Sequence, residues 1–462
     1  MTHVSTIETL RRQLLGRVIE PGQPDYDDAR RTFYGGIDRR PAHIVRPAGA
    51  VDVARTIQFA RDSGLELAVR SGGHSVLGHC VTDGGVVIDL REMRGLTIDP
   101  AERTAWAETG LTALEYSAAA HYHGLATGFG DTGSVGIGGL TVGGGVGYLS
   151  RKLGLTIDSL LAAQVVTADG DILQVDAENH PDLFWAIRGG GGNFGIATRF
   201  RYRLHEVDTV FGGMLILPAS AETISSFVAA AEAAPDELTA IANVMPAPPM
   251  PFLPSETVGR RVILAFLVSA GPVVDGEHTV APFRALAAPI ADMLQPMPYP
   301  AIYPPEDPSY HPTAASRTMF VDTLDGRAAL TVVEHLEEST AKFQVAQIRV
   351  LGGAVARVPS DATAYAHRAR PIMVNVAALY DQAEEASTHE AWAEKFWKAL
   401  RNGEPGAYVN FLSADGPARM REAYPGRTLD RLAEIKARYD PTNVFRLNQN
   451  VAPARSAAAQ GS

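Results

Sequence analysis

Residues 69–75 read Val-Arg-Ser-Gly-Gly-His-Ser, and they continue a short run, residues 65–70, that alternates like a β-strand. Two more glycine-rich stretches follow, residues 133–147 (Gly-Ser-Val-Gly-Ile-Gly-Gly-Leu-Thr-Val-Gly-Gly-Gly-Val-Gly) and residues 188–195 (Arg-Gly-Gly-Gly-Gly-Asn-Phe-Gly). Each glycine destabilises a folded chain by about 0.5–1 kcal/mol relative to alanine. So much glycine needs a reason, which is either a set of tight turns or the close approach of backbone to a ligand.

A dinucleotide pyrophosphate is a ligand that such stretches could hold. Desolvating its charges costs several kcal/mol, and each hydrogen bond to a charged group returns about 1.5–3 kcal/mol. Arg70 and Arg188 are essentially the basic side chains available there, so the main-chain N–H groups of residues 71–75 are the expected donors. Residues 190–195 fit the pattern G-x-G-x-x-G. A Rossmann site is not expected, however, because a predicted helix precedes this pattern and a predicted strand follows it.

The composition bounds the other possibilities. The chain has 462 residues, of which 46% are apolar and 20% charged, as in a folded protein of two or three domains. Its net charge is −11, with no basic block, so neither nucleic acid nor a membrane surface is an expected partner. No uncharged apolar run reaches the ~18 residues of a membrane span.

Cys80 is the only cysteine, and no metal site is expected. Residues 1–20 lack an apolar signal core, so we expect a cytoplasmic protein. The oligomeric state is not indicated.

The pattern of predicted elements changes near residue 211. Before it, strands at residues 43–47, 65–70, 86–90, 96–99 and 104–108 alternate with helices at 51–63 and 112–122, and a hairpin is predicted at 163–175. After it, longer strands (213–218, 261–269, 344–350, 372–379) and helices (221–233, 276–294, 386–401) predict an antiparallel sheet with helices on one face. A last helix is predicted at 428–439. The fold class is therefore α+β.

Four stretches carry a resemblance to a known family. Residues 70–75 resemble the flavin-attachment segment of FAD-linked oxidases of the p-cresol methylhydroxylase/vanillyl-alcohol oxidase superfamily. Residues 133–155 and 182–195 resemble the second and third flavin-binding loops of that family. Residues 439–450, Tyr-Asp-Pro-Thr-Asn-Val-Phe-Arg-Leu-Asn-Gln-Asn, resemble the C-terminal return of its berberine-bridge-enzyme-like branch.

The resemblance implies a bipartite fold with FAD as cofactor. A PCMH-type FAD-binding domain would span residues 1–207, with its core at about 39–207, and residues 407–462 would complete it. Residues 208–406 would form the inserted substrate domain, an antiparallel sheet with helices. The residues implied to bind FAD are Arg70, Ser71, Gly72, Gly73, His74, Ser75, Gly78, His79, Val135, Gly136, Gly139, Gly143, Gly144, Gly145, Gly147, Gly192, Asn193, Gly195, Ile196 and Asn448.

The resemblance also implies a covalent bond from His74 to the flavin 8α-methyl group. On position alone, a histidine in a glycine turn is more often an ordinary hydrogen-bonding surface residue. Many relatives add a thioether through a cysteine, but Thr132 stands at that position here, so single attachment is expected. Cys80 is too near His74 in sequence to replace that cysteine.

The implied chemistry is oxidation of a C–H bond next to O or N of a small or medium organic molecule, with hydride transfer to flavin N5. Tyr408 and Asn410 are the implied catalytic residues, although a half-buried strand that packs Tyr408 would give the same pattern. As a base, Tyr408 would need a partner that stabilises its phenolate, and Asn410 could instead hold substrate or flavin. Ile137, in the loop that governs oxygen access in the family, favours O2 as acceptor with H2O2 as product. The alternatives are an FAD-dependent dehydrogenase or oxidative cyclase, and a non-enzymatic flavin- or ligand-binding protein.

Overall fold

The computed structural model describes residues 6–413 and 416–455. Its first sheet has the strand order Arg17–Ile19, His43–Arg46, Val86–Asp89, Leu67–Arg70. The last three strands run parallel, and the Ala50–Asp62 helix connects two of them as a crossover. The loop that holds His74 therefore begins where the parallel strand Leu67–Arg70 ends.

The second sheet is antiparallel throughout. Its strand order is Leu96–Asp99, Thr104–Glu108, Ile196–Arg203, Leu160–Val166, Ile172–Asp176. The Pro181–Ala186 helix precedes the third glycine stretch and the Ile196–Arg203 strand follows it. This order confirms that the G-x-G-x-x-G pattern here is not a Rossmann element.

The third sheet is also antiparallel, and it is the largest. Its main path is Ala291–Asp292, Thr209–Pro218, Arg261–Ser269, Leu238–Pro246, Phe343–Val350, Ile372–Tyr380, Thr313–Val321, and Gln295–Pro298 pairs with the second of these strands. Four helices pack with it in one apolar core: Ala221–Ala233, Gly276–Arg284, Gly326–Glu338 and Ala386–Leu400. The protein thus has a two-domain α+β fold, as the sequence predicts.

The remaining elements are short. The other helices are Ile7–Gln13, Tyr26–Arg30, Ala113–His121, Ile137–Val142, Ser150–Leu153, Ala354–Arg357, Pro417–Ala423 and Thr428–Tyr439, and a two-stranded ribbon pairs Leu125–Ala126 with His205–Glu206. None of the helices in the described ranges has the length and apolar character that crossing a bilayer requires.

Several elements of the region that holds the third sheet differ from the sequence prediction, and one of them, the Gly326–Glu338 helix, was not predicted. The helix predicted over residues 276–294 ends at Arg284, because Pro289 would interrupt a continued helix. Leu238–Pro246 and Thr313–Val321 are strands that the sequence pattern did not indicate. Both are buried along most of their length, so they lack the period-two alternation by which a half-exposed strand is recognised.

A buried ion pair joins the C-terminal segment to the third glycine stretch. The Lys436 ammonium group, fully buried, donates to the Asp440 carboxylate (2.6 Å) and to the carbonyls of Asn193 (2.7 Å) and Phe445 (2.9 Å). Asp440 also accepts the N–H groups of Val444 and Phe445. Burial lowers the pKa of Lys436, and the hydrogen bond to Asp440 opposes that effect. The C-terminal segment is thus held against the third glycine stretch by a buried ion pair whose two side chains make several hydrogen bonds with the main chain.

We expect Lys436→Met to destabilise the protein by about 3–5 kcal/mol, because Asp440 would keep a buried charge without its partner. Lys398→Met is the matched control, since Lys398 pairs with Glu394 at the same i,i+4 spacing but on an exposed helix face. That change should cost at most about 1 kcal/mol. Guanidinium denaturation measures both, and equal losses in the two variants would contradict the structural role given to Lys436.

Candidate active site

The three glycine stretches, far apart in sequence, meet at one place in the structure. A Cβ atom built on Gly72 would lie 2.2 Å from the Gly136 nitrogen, and one on Gly136 would lie 2.2 Å from the Gly72 nitrogen. The N–H groups of Gly189 and Gly191 both donate to the Val142 carbonyl (2.9 Å each). Backbone therefore packs on backbone here, and only glycine permits that approach at Gly72 and Gly136.

The first glycine loop keeps its main-chain donors free. Within the described ranges, the N–H groups of Gly72, Gly73 and His74 have no hydrogen-bond acceptor in the protein, whereas the Ser75 N–H is directed at the Cys80 thiol. Gly73 has φ +81°, a left-handed conformation that changes the direction of successive N–H groups. Ser71 anchors the loop, since its hydroxyl donates to the Thr109 carbonyl (2.6 Å) and accepts the Gly138 N–H (3.2 Å). An anchored loop with consecutive free donors is a suitable cradle for anionic oxygens.

His74 is held from two directions. Its ring stacks on Phe33, with the ring centroids 4.1 Å apart, and its Nε2 atom lies 2.9 Å from the Ser134 hydroxyl. Burial lowers the pKa of His74 to about 4, partly opposed by the nearby Glu306 carboxylate. The imidazole is therefore neutral near pH 7, the state in which a ring nitrogen is nucleophilic.

The third glycine stretch is bound to the C-terminal segment through two asparagines. The Asn193 amide donates to the carbonyls of Gly190 (2.9 Å) and Gln449 (3.1 Å), and its oxygen accepts the Val451 N–H (2.9 Å). Asn448 donates to the Gly192 carbonyl (3.2 Å), while its own Oδ1 is buried without a partner among the described residues. Asn193 thus holds the loop together, and Asn448 keeps one acceptor unused at the loop edge.

Several other predicted cofactor residues use their side chains inside the protein. The Arg70 guanidinium, 1% exposed, donates to the carbonyls of Ala29 and Arg30 (3.1 Å for the latter). Ser75 accepts the His79 N–H (3.1 Å), and burial lowers the pKa of His79 to about 4. The remaining predicted positions are Gly78, on the first loop; Val135, Gly139, Gly143, Gly144, Gly145 and Gly147, on the second; and Gly195 and Ile196, where the third loop enters the second sheet.

Tyr408 and Asn410 lie against the second glycine stretch. The Tyr408 phenol oxygen accepts two hydrogen bonds of 2.9 Å, one from the Gly145 N–H and one from the Asn410 amide. The same amide donates to the Leu140 carbonyl (3.2 Å). Residues Val409–Phe411 form a single 3-10 turn, so the expected strand is absent, although Tyr408 itself is buried in an apolar cluster with Tyr365 and Phe411. Because two lone pairs are engaged by the protein, the hydroxyl hydrogen of Tyr408 is left for another acceptor.

The environment of Tyr408 opposes its ionisation at rest. Burial raises the pKa of Tyr408 to about 12, although the Gly145 and Asn410 donors act in the opposite direction. These donors are the phenolate partners that the sequence did not identify. Near pH 7 the side chain is a neutral phenol whose anionic form has two hydrogen bonds ready to stabilise it.

A buried charge pair near Tyr408 was not predicted from the sequence. The Arg349 guanidinium, 3% exposed, donates to the Asp131 carboxylate (2.5 Å) and lies 4.9 Å from the centre of the Phe411 ring. The Gln347 amide approaches the same carboxylate oxygen (3.3 Å). Gln347 and Arg349 are two residues apart in the Phe343–Val350 strand, so their side chains lie on the same face of the sheet. This spacing of two polar residues was the only sign of the pair in the sequence. The pair joins the third sheet to the loop before the second glycine stretch.

The Asp131 carboxylate acts on a group of tyrosines around it. Burial raises the pKa of four tyrosines, and the negative charge of Asp131 raises it further in each case. They are Tyr34, Tyr148, Tyr303 and Tyr408. In the described part of the chain, no three His, Cys, Asp or Glu side chains are grouped as a metal site would require. The site is therefore an aromatic and hydroxyl-rich region with one internal ion pair.

The two glycines Gly136 and Gly139 are expected to respond differently to an added methyl group. Gly136→Ala should destabilise the fold by about 1–3 kcal/mol or more, since its Cβ would overlap the Gly72 backbone. Gly139 lies in the Ile137–Val142 helix with no atom within 4 Å of a built Cβ, so alanine should stabilise the unliganded protein by about 0.5–1 kcal/mol. If the flavin contacts this surface, Gly139→Ala should still reduce FAD content. Thermal unfolding with and without FAD measures both effects, and identical behaviour of the variants would contradict this geometry.

Comparison with known families agrees with this arrangement. Residues 41–176 match the family described as FAD binding domain, and residues 407–452 match the family described as berberine and berberine like. The chain is 32% identical over 458 residues to the FAD-linked oxidoreductase YvdP of Bacillus subtilis (strain 168), covering 96% of this chain and 99% of that one. It is 28% identical over 463 residues to (R)-6-hydroxynicotine oxidase of Paenarthrobacter nicotinovorans, with 96% and 97% covered.

Solved structures show the same fold. The crystal structure of 6-hydroxy-D-nicotine oxidase from Arthrobacter nicotinovorans superposes with a TM-score of 0.85 at 26% identity, covering 97% of this chain and 100% of that chain. Glucooligosaccharide oxidase from Acremonium strictum, described with a 6-S-cysteinyl, 8α-N1-histidyl FAD, gives a TM-score of 0.84 at 23% identity, with 98% and 100% covered. The latter supports the fold alone.

Proposed function

Because the chain belongs to the FAD-linked oxidoreductases with a berberine-like C-terminal segment, we propose that it oxidises a C–H bond next to O or N of a small or medium organic molecule. Dioxygen is the proposed electron acceptor, with hydrogen peroxide as product. The single observation that carries the proposal is the Tyr408 hydroxyl. It is buried, receives two N–H groups, and keeps its hydrogen available beside the glycine stretches that suit the cofactor.

The residues present fit FAD. The free N–H groups of Gly72, Gly73 and His74 suit the pyrophosphate, because oriented donors replace the water lost by its charges. Gly139 and Gly192 have open space where a side chain would begin, which leaves room for close contact. His74 is the proposed point of attachment. Thr132 has no sulfur for a second bond, so attachment through His74 alone is proposed.

The proposed domain organisation follows the same division. Residues 1–207 and 407–462 would form the FAD domain, and residues 208–406 the substrate domain. The buried Lys436–Asp440 pair supports this arrangement, since it binds the returning chain to Asn193 in the third glycine stretch. The Asp131–Arg349 pair, in turn, connects the proposed substrate domain to the flavin side.

When bound, the flavin would accept the hydride from the substrate carbon. Tyr408 would orient the substrate heteroatom through its hydroxyl group and take the proton that this heteroatom loses. The Gly145 N–H and the Asn410 amide would stabilise the negative charge on the Tyr408 oxygen. Asn410 would also hold Tyr408 in place through its bond to the Leu140 carbonyl. Ile137, which is fully buried in the second glycine stretch, is the residue proposed to govern access of dioxygen.

The relatives' names support small organic substrates. One is called a 6-hydroxynicotine oxidase and others are called oligosaccharide oxidases. The aromatic and hydroxyl-rich surroundings of Asp131 suit a substrate that combines a ring with a polar heteroatom.

A panel of amines, alcohols and oligosaccharides tests the proposal. Each compound is mixed anaerobically with the flavin-loaded protein, and bleaching of the flavin absorbance shows reduction. Air is then admitted and peroxide is measured. We expect bleaching by at least one class, followed by one peroxide per flavin. Bleaching without peroxide would replace the oxidase proposal with a dehydrogenase, and no bleaching by any compound would contradict the enzyme proposal.

A further inference from the structure

A three-residue chain of hydrogen bonds ends at His74, and the chemistry described so far does not use it. Ser134, in the second glycine stretch, has its hydroxyl 2.9 Å from His74 Nε2. Glu306, from a proline-flanked loop of the proposed substrate domain, accepts both the Ser134 hydroxyl and the Ser134 N–H (3.0 Å for the latter). Histidine, serine and carboxylate are thus aligned in series across two domains.

The direction of these hydrogen bonds is determined by the carboxylate. An ionised Glu306 can only accept, so the single hydroxyl hydrogen of Ser134 is donated to it. The Ser134 oxygen must then accept from His74, which places the imidazole hydrogen on Nε2. His74 Nδ1 therefore carries the lone pair. Phe33 covers one face of the ring, and the ring also has a hydrogen bond with the Ser134 main chain.

We propose that Ser134 and Glu306 form a proton relay that prepares His74 Nδ1 to bond with the flavin 8α-methyl carbon. This inference rests on the proposed attachment at His74. The relay selects the tautomer whose free nitrogen can attack, and the exposed Glu306 carboxylate takes up the Nε2 proton through Ser134 as the C–N bond forms. The low pKa of His74, caused by burial, supports the role because it keeps the ring uncharged.

Attachment oxidises the flavin 8α-methyl carbon by two electrons. One C–N bond forms, and one C–H bond of the methyl group and one N–H bond of His74 break. The two electrons released reduce the ring system, and dioxygen takes them together with two protons to give hydrogen peroxide. Ser134 and Glu306 are positioning residues in this step, since they act through His74 and do not contact the carbon.

The rate of covalent attachment tests the relay. Protein purified from riboflavin-starved cells is mixed with FAD, and acid-stable flavin is followed by fluorescence in denaturing gels. We expect Ser134→Ala and Glu306→Gln to slow attachment about 100-fold, with little change in the equilibrium binding of FAD before attachment. Ser134→Thr keeps a hydroxyl group and should restore the rate.

Asp307→Asn is the matched control for charge and loop position. Its carboxylate binds only Ser309 among the described residues, so attachment should proceed at the wild-type rate. Wild-type rates in Ser134→Ala and Glu306→Gln, with His74→Ala still unlinked, would overturn the relay alone. Absence of acid-stable flavin from the wild-type protein would overturn both the attachment and the relay.

Discussion

Replacing Tyr408 by phenylalanine should slow anaerobic flavin reduction by about 10²–10⁴-fold, the usual effect of removing a group that transfers a proton in the transition state. The change deletes one oxygen and leaves the ring that packs beside Tyr365 and Phe411. The two N–H donors at that oxygen would lose their acceptor, which should cost about 1–3 kcal/mol of stability, while the ring packing is kept. Stopped-flow measurement at several substrate concentrations separates the reduction rate from the dissociation constant, which should change only a few-fold.

The pH dependence of the flavin reduction rate also tests the role of Tyr408. With a pKa of about 12, the ionised fraction of Tyr408 rises about tenfold per pH unit below that value. If the phenolate takes the proton, the reduction rate of the wild-type protein should rise between pH 7 and pH 10, and the rise should be absent in Tyr408→Phe. Reduction at the same rate in both proteins would remove Tyr408 from the mechanism.

Changing His74 to alanine should release the flavin from the denatured protein completely. Acid precipitation of the wild-type protein should leave flavin in the pellet, and precipitation of His74→Ala should leave it in the supernatant. The folded variant should still bind FAD, because the free N–H groups of the loop belong to the main chain. His79→Ala is the matched control, since His79 lies on the same loop with a pKa lowered in the same way. Flavin in the His74→Ala pellet would contradict attachment at this residue.

Local signals were sufficient for much of the fold. The strands Leu96–Asp99, Thr104–Glu108 and Arg261–Ser269 and the helices Ala221–Ala233 and Thr428–Tyr439 have the predicted bounds. Each of these stretches has a periodicity or a turn sequence at its ends that can be recognised without knowledge of tertiary contacts. Leu238–Pro246 was missed because burial along its length removes the alternation.

The contacts that complete the site could not be predicted in the same way. Arg349 and Asp131 are 218 residues apart in sequence, and Ser134 and Glu306 are 172 apart. Each is an ordinary polar residue in its own segment, and only the packing of the third sheet against the glycine stretches brings the partners together. The glycine stretches, by contrast, could be predicted as part of the site, because their unusual local composition can be seen in the sequence alone.

A peptide map of the purified wild-type protein shows directly whether His74 carries the flavin. Trypsin should release residues 71–91 as one peptide, which contains His74, His79 and Cys80. This peptide should carry the flavin, and fragmentation should place it on His74, with the peptide that contains Thr132 unmodified. An unmodified 71–91 peptide, or flavin on another residue, would contradict the claim that the glycine stretches hold FAD with His74 as its single attachment.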